Sequence, residues 1–145
     1  MKAKKFLTTE DEKLVVDAIK RAELNTSGEI RVHIESKCVG NVLERAVTVF
    51  NYLDMDETVE QNGVLIYLAV DSKKFAIIGD KGIDAKVPND FWDIIKEEMA
   101  KSFSVGDFVG GLIKAIDSAG ISLQKYFPYK INDVNEQPDE ISFGN

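Results

Sequence analysis

Carboxylates spaced around two glycines are the residues of this chain whose types and spacing could do chemistry. Asp80 and Asp84 lie in the glycine-punctuated segment 79–84, and Glu29 begins a separate segment that alternates polar and apolar residues. Ca²⁺ and Mg²⁺ are bound by carboxylates and backbone carbonyls, and glycine lets the backbone approach an ion closely. The pattern predicts a divalent-cation site in which Glu29, Asp80 and Asp84 converge at one end of a sheet.

A fourth carboxylate, Asp107, stands in the sequence Gly106-Asp107-Phe108 and is followed by two further glycines. No Lys-Ser/Thr pair follows, so the segment is not a phosphate-binding P-loop. We interpret Asp107 as the N-cap of a helix. If this helix start lies near the cation site, Asp107 adds a carboxylate to that site. The alternative is that Asp107 lies at the hairpin end of the sheet, away from the site.

Two aspartate pairs match sequence motifs of a known class of phosphatases. Asp54 and Asp56 stand in a D-x-D-x-T pattern, and Asp80 and Asp84 in a G-D-x-x-x-D pattern. These resemble the first and last motifs of haloacid-dehalogenase-type phosphatases, in which Asp54 would be the nucleophile. That nucleophile must end a buried strand, whereas helical spacing precedes Asp54, so the context argues against the match. An EF-hand in the same loop is excluded because its sixth position is not glycine and its twelfth is not glutamate.

Composition restricts the function further. The chain has 145 residues, the usual size of one domain, and 18 basic against 25 acidic residues give a net charge of −7. Such a balance argues against binding to nucleic acid or to an anionic membrane. One cysteine, Cys38, and one histidine, His33, exclude an internal disulfide, a thiolate zinc cluster and a paired-histidine metal motif. We expect a cytoplasmic, soluble monomer without a signal peptide or membrane span.

Hydrophobic periodicity supplies the elements that must position these residues. Apolar residues at helical intervals predict helices, whereas alternation and a short continuous apolar run predict strands. The predicted helices cover about 10–23, 43–50, 88–103 and 107–127, and the predicted strands 29–35, 64–70 and 75–78. His33 falls on the polar face of the first strand, solvated or loosely covered by a helix or the tail.

The run at 64–70 is apolar at every position, so it must be covered on both faces. The fold class is therefore α/β, a three-layer α/β/α sandwich with a short mixed sheet covered by helices on both faces. We expect a single domain over 1–128 and an acidic C-terminal tail over 129–145 that packs on it.

Several segments together resemble the TPM domain family, found in thylakoid-lumen proteins of photosystem II repair and in many bacterial proteins. They are LNTSGEIRV at 24–32, AVTVF at 46–50, NGVLIYLA at 62–69, FAIIGDKGI at 75–83, GDF at 106–108 and PDEISFG at 138–144. The resemblance implies an α/β/α sandwich, a divalent-cation site usually described for calcium, and acid phosphatase activity in some members. It carries Asp80, Asp84 and Asp107 over to that site. Many members also have a signal peptide, a membrane segment and a Gly-rich tail, which this sequence lacks.

Three functional hypotheses follow. The first is a stand-alone domain that binds Ca²⁺ or Mg²⁺ weakly, with a Kd on the order of 10⁻⁴–10⁻³ M. The second is a metal-dependent phosphatase in which a cation-bound water is the nucleophile. The third is a non-catalytic interaction module whose acidic tail, with Ile141 and Phe143, packs on the domain or docks on a protein partner.

Overall fold

A computed structural model describes residues 6–129 and 139–144. Over these ranges a four-stranded sheet in the order β3-β2-β1-β4 lies between helices on both faces, which confirms the three-layer α/β/α sandwich. The helices are α1 (Thr9–Glu23), α2 (Val42–Tyr52), α3 (Lys81–Asp84), α4 (Phe91–Ser104) and α5 (Phe108–Tyr126), with one 3₁₀ turn at Met55–Glu57. The strands are β1 (Glu29–Glu35), β2 (Gly63–Ala69), β3 (Lys74–Gly79) and β4 (Ser142–Phe143).

The sheet is mixed. β1 runs parallel to β2, with Glu29 opposite Gly63, and β3 returns antiparallel to β2, with Gly79 opposite Val64. The starts of β1 and β2 and the finish of β3 therefore share one end of the sheet. This is the arrangement that the predicted cation site requires of the backbone.

Alternating side chains of β2 divide the interior into two cores. Val64, Ile66 and Leu68 pack with α1, α4 and α5, whereas Leu65 and Tyr67 pack with α2. All seven residues of β2 are buried, as the continuous apolar run predicts. One helix covers the second face, so the part of that face over β1 is left for polar side chains.

The fourth strand was not predicted. Ser142 and Phe143 pair with His33 and Ile34 of β1, and the Gly144 N–H donates to the Ile34 carbonyl at 2.8 Å. Two residues are too few to show an alternating pattern, so sequence periodicity cannot detect such a strand. The tail segment 130–138 lies outside the described residues.

Candidate functional site

An open cleft of about 670 Å³ lies beside β3, bordered by α2 and by the start of α4. Apolar side chains form its floor. Its charged lining consists of the carboxylates Asp56, Asp80, Asp84 and Asp93 and the ammonium groups of Lys81 and Lys96. Four carboxylates against two lysines leave the cleft with an excess of negative charge, which attracts cations.

Asp80 has one carboxylate oxygen engaged and one that is not. Its Oδ1 accepts the Lys81 N–H at 2.8 Å and so caps α3. Its backbone N–H donates to the Gly63 carbonyl at 3.0 Å, which fixes the residue at the end of the sheet. Oδ2 is buried and accepts no hydrogen bond from the described residues. A desolvated carboxylate oxygen without a donor is costly, and a bound cation would offset that cost.

Asp84 lies one helical turn beyond Asp80. Its Oδ1 accepts the indole N–H of Trp92 at 2.8 Å, which ties α3 to the first turn of α4. Trp92 packs so closely on β3 that a Cβ on Gly79 would lie 2.3 Å from the Trp92 Cζ2 atom. Glycine at 79 is therefore needed to bring Asp84 and the aromatic wall to the strand end.

Gly82 makes the other close approach, and its replacement tests the α3 turn. A Cβ at this position would lie 2.1 Å from the Glu60 carbonyl oxygen and 2.6 Å from that of Gln61. We expect Gly82→Ala to lower the free energy of unfolding by about 1–3 kcal/mol, because backbone must move to relieve the overlap. Urea denaturation measures the loss, with Lys81→Ala as an exposed control in the same helix. Equal stability of the two variants would contradict this account.

Glu29 lies elsewhere. It is 3% exposed and does not line the cleft, although β1 begins at the same end of the sheet. Its electrostatic neighbour is Glu23, whose Oε2 accepts the Ile30 N–H at 2.8 Å. Burial of the Glu23 carboxyl and a hydrogen bond to Asp139 raise its pKa to about 11. Glu23 therefore keeps its proton at neutral pH, which reduces the negative charge beside Glu29.

Asp107 caps α5, as predicted, and its Oδ1 accepts the Gly110 N–H at 2.9 Å. The neighbouring Phe108 ring stacks on Phe103, which in turn contacts Phe75 near the hairpin end of β3. Phe75 and Asp80 are about 17 Å apart along the strand at the usual rise per residue. The structure thus brings Asp80 and Asp84 together and leaves Glu29 and Asp107 outside the cleft. Within the described ranges, no group of three or more His, Cys, Asp or Glu side chains is arranged to hold a metal ion.

Two cleft carboxylates, Asp56 and Asp93, were not among the predicted ligands. The sequence did contain an indication for Asp56: the rejected phosphatase pattern places Asp56 in the same site as Asp80 and Asp84. Asp54 follows α2 in a left-handed turn (φ 58°) and does not end a strand, so the catalytic context is absent. Proximity of the two segments is nevertheless real. Asp93 gives no signal of its own, since it lies in the first turn of an ordinary amphipathic helix.

The described residues form an α/β domain with a small mixed sheet between two helical layers and an acidic cleft where the hairpin strand ends. The chain belongs to the TPM domain family, whose profile matches residues 1–121. The resemblance inferred from the sequence segments is thereby confirmed. No curated protein matches the chain.

Solved structures agree with this assignment. The chain is similar to the BA42 protein from the psychrophilic bacterium Bizionia argentinensis, with 52% identity, 97% of each chain covered and a TM-score of 0.91. Two N-terminal domains share the fold at 16% identity. The P. gingivalis domain has a TM-score of 0.69 and covers 87% of this chain and 84% of that one. The cg2496 domain from Corynebacterium glutamicum has a TM-score of 0.60, covering 81% and 74%. No helix in the described part of the chain is long and apolar enough to cross a membrane.

Proposed function

We propose that this TPM domain binds a divalent cation weakly, with Asp80 and Asp84 as its carboxylate ligands and Ca²⁺ or Mg²⁺ as the ion. The observation that supports the proposal best is the buried Oδ2 of Asp80, which accepts no hydrogen bond from the described residues and belongs to a residue lining the acidic cleft. Asp84 lines the same cleft one turn away. Asp56 and Asp93 add negative charge around the ion.

Weak affinity follows from the small number of carboxylates. Ca²⁺ takes six to eight oxygen ligands and Mg²⁺ six, so water and backbone carbonyls must supply most of them. Two lysines in the cleft oppose the ion further. We expect a Kd on the order of 10⁻⁴–10⁻³ M, in the range of low-affinity calcium modules.

Amide NMR titration with Ca²⁺ and then Mg²⁺ tests the proposal. Both Asp80 and Asp107 cap helices, and asparagine also caps well, so Asp80→Asn and Asp107→Asn form a matched pair that changes charge and little else. We expect localised shifts over residues 79–84 that disappear in Asp80→Asn and persist in Asp107→Asn. Shifts no larger than those caused by NaCl at equal ionic strength would refute cation binding. Shifts that are unchanged in Asp80→Asn would show that the ion binds at a site without Asp80.

A metal-dependent phosphatase is the second candidate, favoured by Lys81 and Lys96 in the same cleft. An ammonium group offers a point charge for phosphate, and a cation-bound water would be the nucleophile. Phosphate release from p-nitrophenyl phosphate should then be lost with chelator and with Asp80→Asn. Activity that survives Asp80→Asn would come from a different protein or site.

The remaining expectations belong to the same proposal: a cytoplasmic monomer that does not bind nucleic acid or membranes. The third candidate is a non-catalytic interaction role; in the described part of the tail, Ile141 and Phe143 pack against the main core, which fits a tail that packs on the domain. Amide shifts on Ca²⁺ addition without phosphate release would favour a binding role over catalysis.

A further inference from the structure

A second cavity, of about 500 Å³, lies where β4 meets β1 and is bordered on one side by α2. Its polar lining includes His33, Glu35, Lys37, Arg45 and Ser142. The sequence offered no serine partner for the histidine at informative spacing, because Ser142 follows His33 by 109 residues. Of the two positions expected for His33, the structure shows the covered one: it is 5% exposed and lies opposite Ser142 of the tail strand β4.

Strand register connects three of these side chains in a row. Ser142 stands opposite His33 across the β4–β1 pair, and its Oγ lies 3.0 Å from His33 Nδ1. Glu35 is two residues along β1, on the same face as His33, and its Oε1 lies 3.0 Å from His33 Nε2. Hydroxyl, imidazole and carboxylate are thus linked in the order used by acyl-transfer enzymes with a serine nucleophile, but with the two ring nitrogens exchanged, since Nδ1 faces the serine here and Nε2 the carboxylate.

Glu35 is ionised, and this determines where the protons lie. Burial opposes its charge, but hydrogen bonds from Arg45, Tyr67 and His33 outweigh burial and lower the pKa of Glu35 to about 2. Arg45 makes two of these bonds, from Nε to Oε2 and from Nη2 to Oε1, each 2.9 Å long. The Tyr67 hydroxyl donates a further one to Oε2.

An ionised carboxylate can only accept, so His33 Nε2 carries a proton and donates it to Glu35. Burial lowers the pKa of His33 and, with the charges of Arg45 and Arg31, outweighs the hydrogen bond and charge of Glu35, which raise it, so the ring is neutral at pH 7. Nδ1 of a neutral ring protonated at Nε2 is an acceptor. The Ser142 hydroxyl therefore donates to Nδ1, which makes the imidazole a general base for this serine.

We propose that Ser142, His33 and Glu35 form a nucleophilic site that accepts acyl groups from short-chain carboxylic esters. Ser142 Oγ forms a bond to the ester carbonyl carbon while its proton moves to His33 Nδ1. The carbonyl reforms as the ester C–O bond breaks, and the leaving alkoxide takes that proton from Nδ1. Water then attacks the acyl-serine by the same proton route, releasing the carboxylic acid and restoring Ser142.

Other groups in the cavity suit this chemistry. Arg45 and Lys37 both line the cavity, and their positive charge would favour an oxyanion formed there. Glu35 acts through the imidazole and is a positioning residue. Apolar lining for the acyl chain comes from Val39, Val49 and Phe143.

Covalent labelling of the full-length wild-type chain tests the proposal directly. The protein is incubated with p-nitrophenyl acetate or with a fluorophosphonate, and the adduct is located by peptide mass spectrometry. The matched control is Ser27→Ala, because the Ser27 hydroxyl donates straight to the Glu60 carboxylate at 2.7 Å with no histidine between them. We expect an adduct on Ser142 in the wild type and in Ser27→Ala, and none in Ser142→Ala.

The base and its partner are tested by rate. His33→Gln should slow labelling of Ser142 at least tenfold, since a positioned general base contributes about 10²–10⁴-fold. Labelling in the wild type should rise with pH to a plateau whose midpoint lies below 6.5, and Glu35→Gln should change that midpoint. The absence of any Ser142 adduct on the folded wild-type chain would overturn the proposal. The three residues would then serve only to anchor β4.

Discussion

Replacing Glu23 with glutamine should stabilise the protein at pH 8. The half-buried Glu23 carboxyl has to take up a proton on folding at that pH, because desolvation and Asp139 raise its pKa from 4.5 to about 11. Glutamine is neutral without this proton. Its Oε1 can accept the Ile30 N–H that Glu23 Oε2 accepts at 2.8 Å, and its amide can donate to Asp139. We expect a gain of about 2 kcal/mol, or several degrees in melting temperature.

The gain should depend on pH in a definite direction. A carboxyl whose pKa is raised in the folded state contributes stability that is complete below pH 4.5 and is lost as pH rises toward 11. The advantage of Glu23→Gln should therefore be small at pH 5 and large at pH 8. Thermal unfolding at both values measures it, with Glu97→Gln on the exposed side of α4 as the control. An equal shift at both pH values would contradict a protonated Glu23.

Replacing Arg45 with methionine should have the largest destabilising effect. Arg45 makes two hydrogen bonds to the Glu35 carboxylate. The Glu35 side chain is 3% exposed, whereas the arginine side chain is 43% exposed. Removing it leaves a buried charge whose remaining donors among the described residues are His33 and Tyr67. Because Arg45 is partly solvated, we expect a loss of about 2–3 kcal/mol at pH 7, at the lower end of the cost of breaking a buried ion pair.

Acid should reduce this loss. The lowered pKa of Glu35 gives the wild type stability that is present above pH 4.5 and is lost as pH falls toward 2. Without Arg45 the pKa of Glu35 rises, so the variant loses less stability on acidification than the wild type does. The difference in free energy of unfolding between the two proteins therefore narrows at pH 3. Urea denaturation at pH 7 and pH 3 measures both, with Arg21→Met on the exposed surface of α1 as the control. The same loss at both pH values would point to packing of the Arg45 stem instead of its charge.

Much of the candidate cation site was predictable from the sequence because its central part is local. Asp80 and Asp84 are four residues apart, and the glycines beside them indicate a tight turn after a strand. Glu29 was placed correctly on the backbone, at the shared end of the sheet. Its side chain could not be placed, because the choice between the cleft and Glu23 depends on how α1 packs against the sheet.

The second cavity, between β1 and β4, shows more clearly what could not be predicted from the sequence. Nothing local relates Ser142 to His33, and a two-residue strand carries no periodic signal. β4 forms because the edge of β1 offers unsatisfied backbone groups and because Ile141 and Phe143 find apolar surface. Those conditions exist only after the rest of the sheet has assembled.

Hydrophobic periodicity, capping residues and turn chemistry by themselves determined the four long helices, the three longer strands and the layered α/β fold, because each acts over a few residues. The TPM family followed separately, from the resemblance of whole sequence segments. Only the tertiary structure decided which charged groups meet. It added Asp56 and Asp93 to the cleft, moved Asp107 to the opposite end of β3 and aligned Ser142 with His33 and Glu35. The physical reason is that burial patterns specify which face of an element is covered. They do not specify which distant segment covers it.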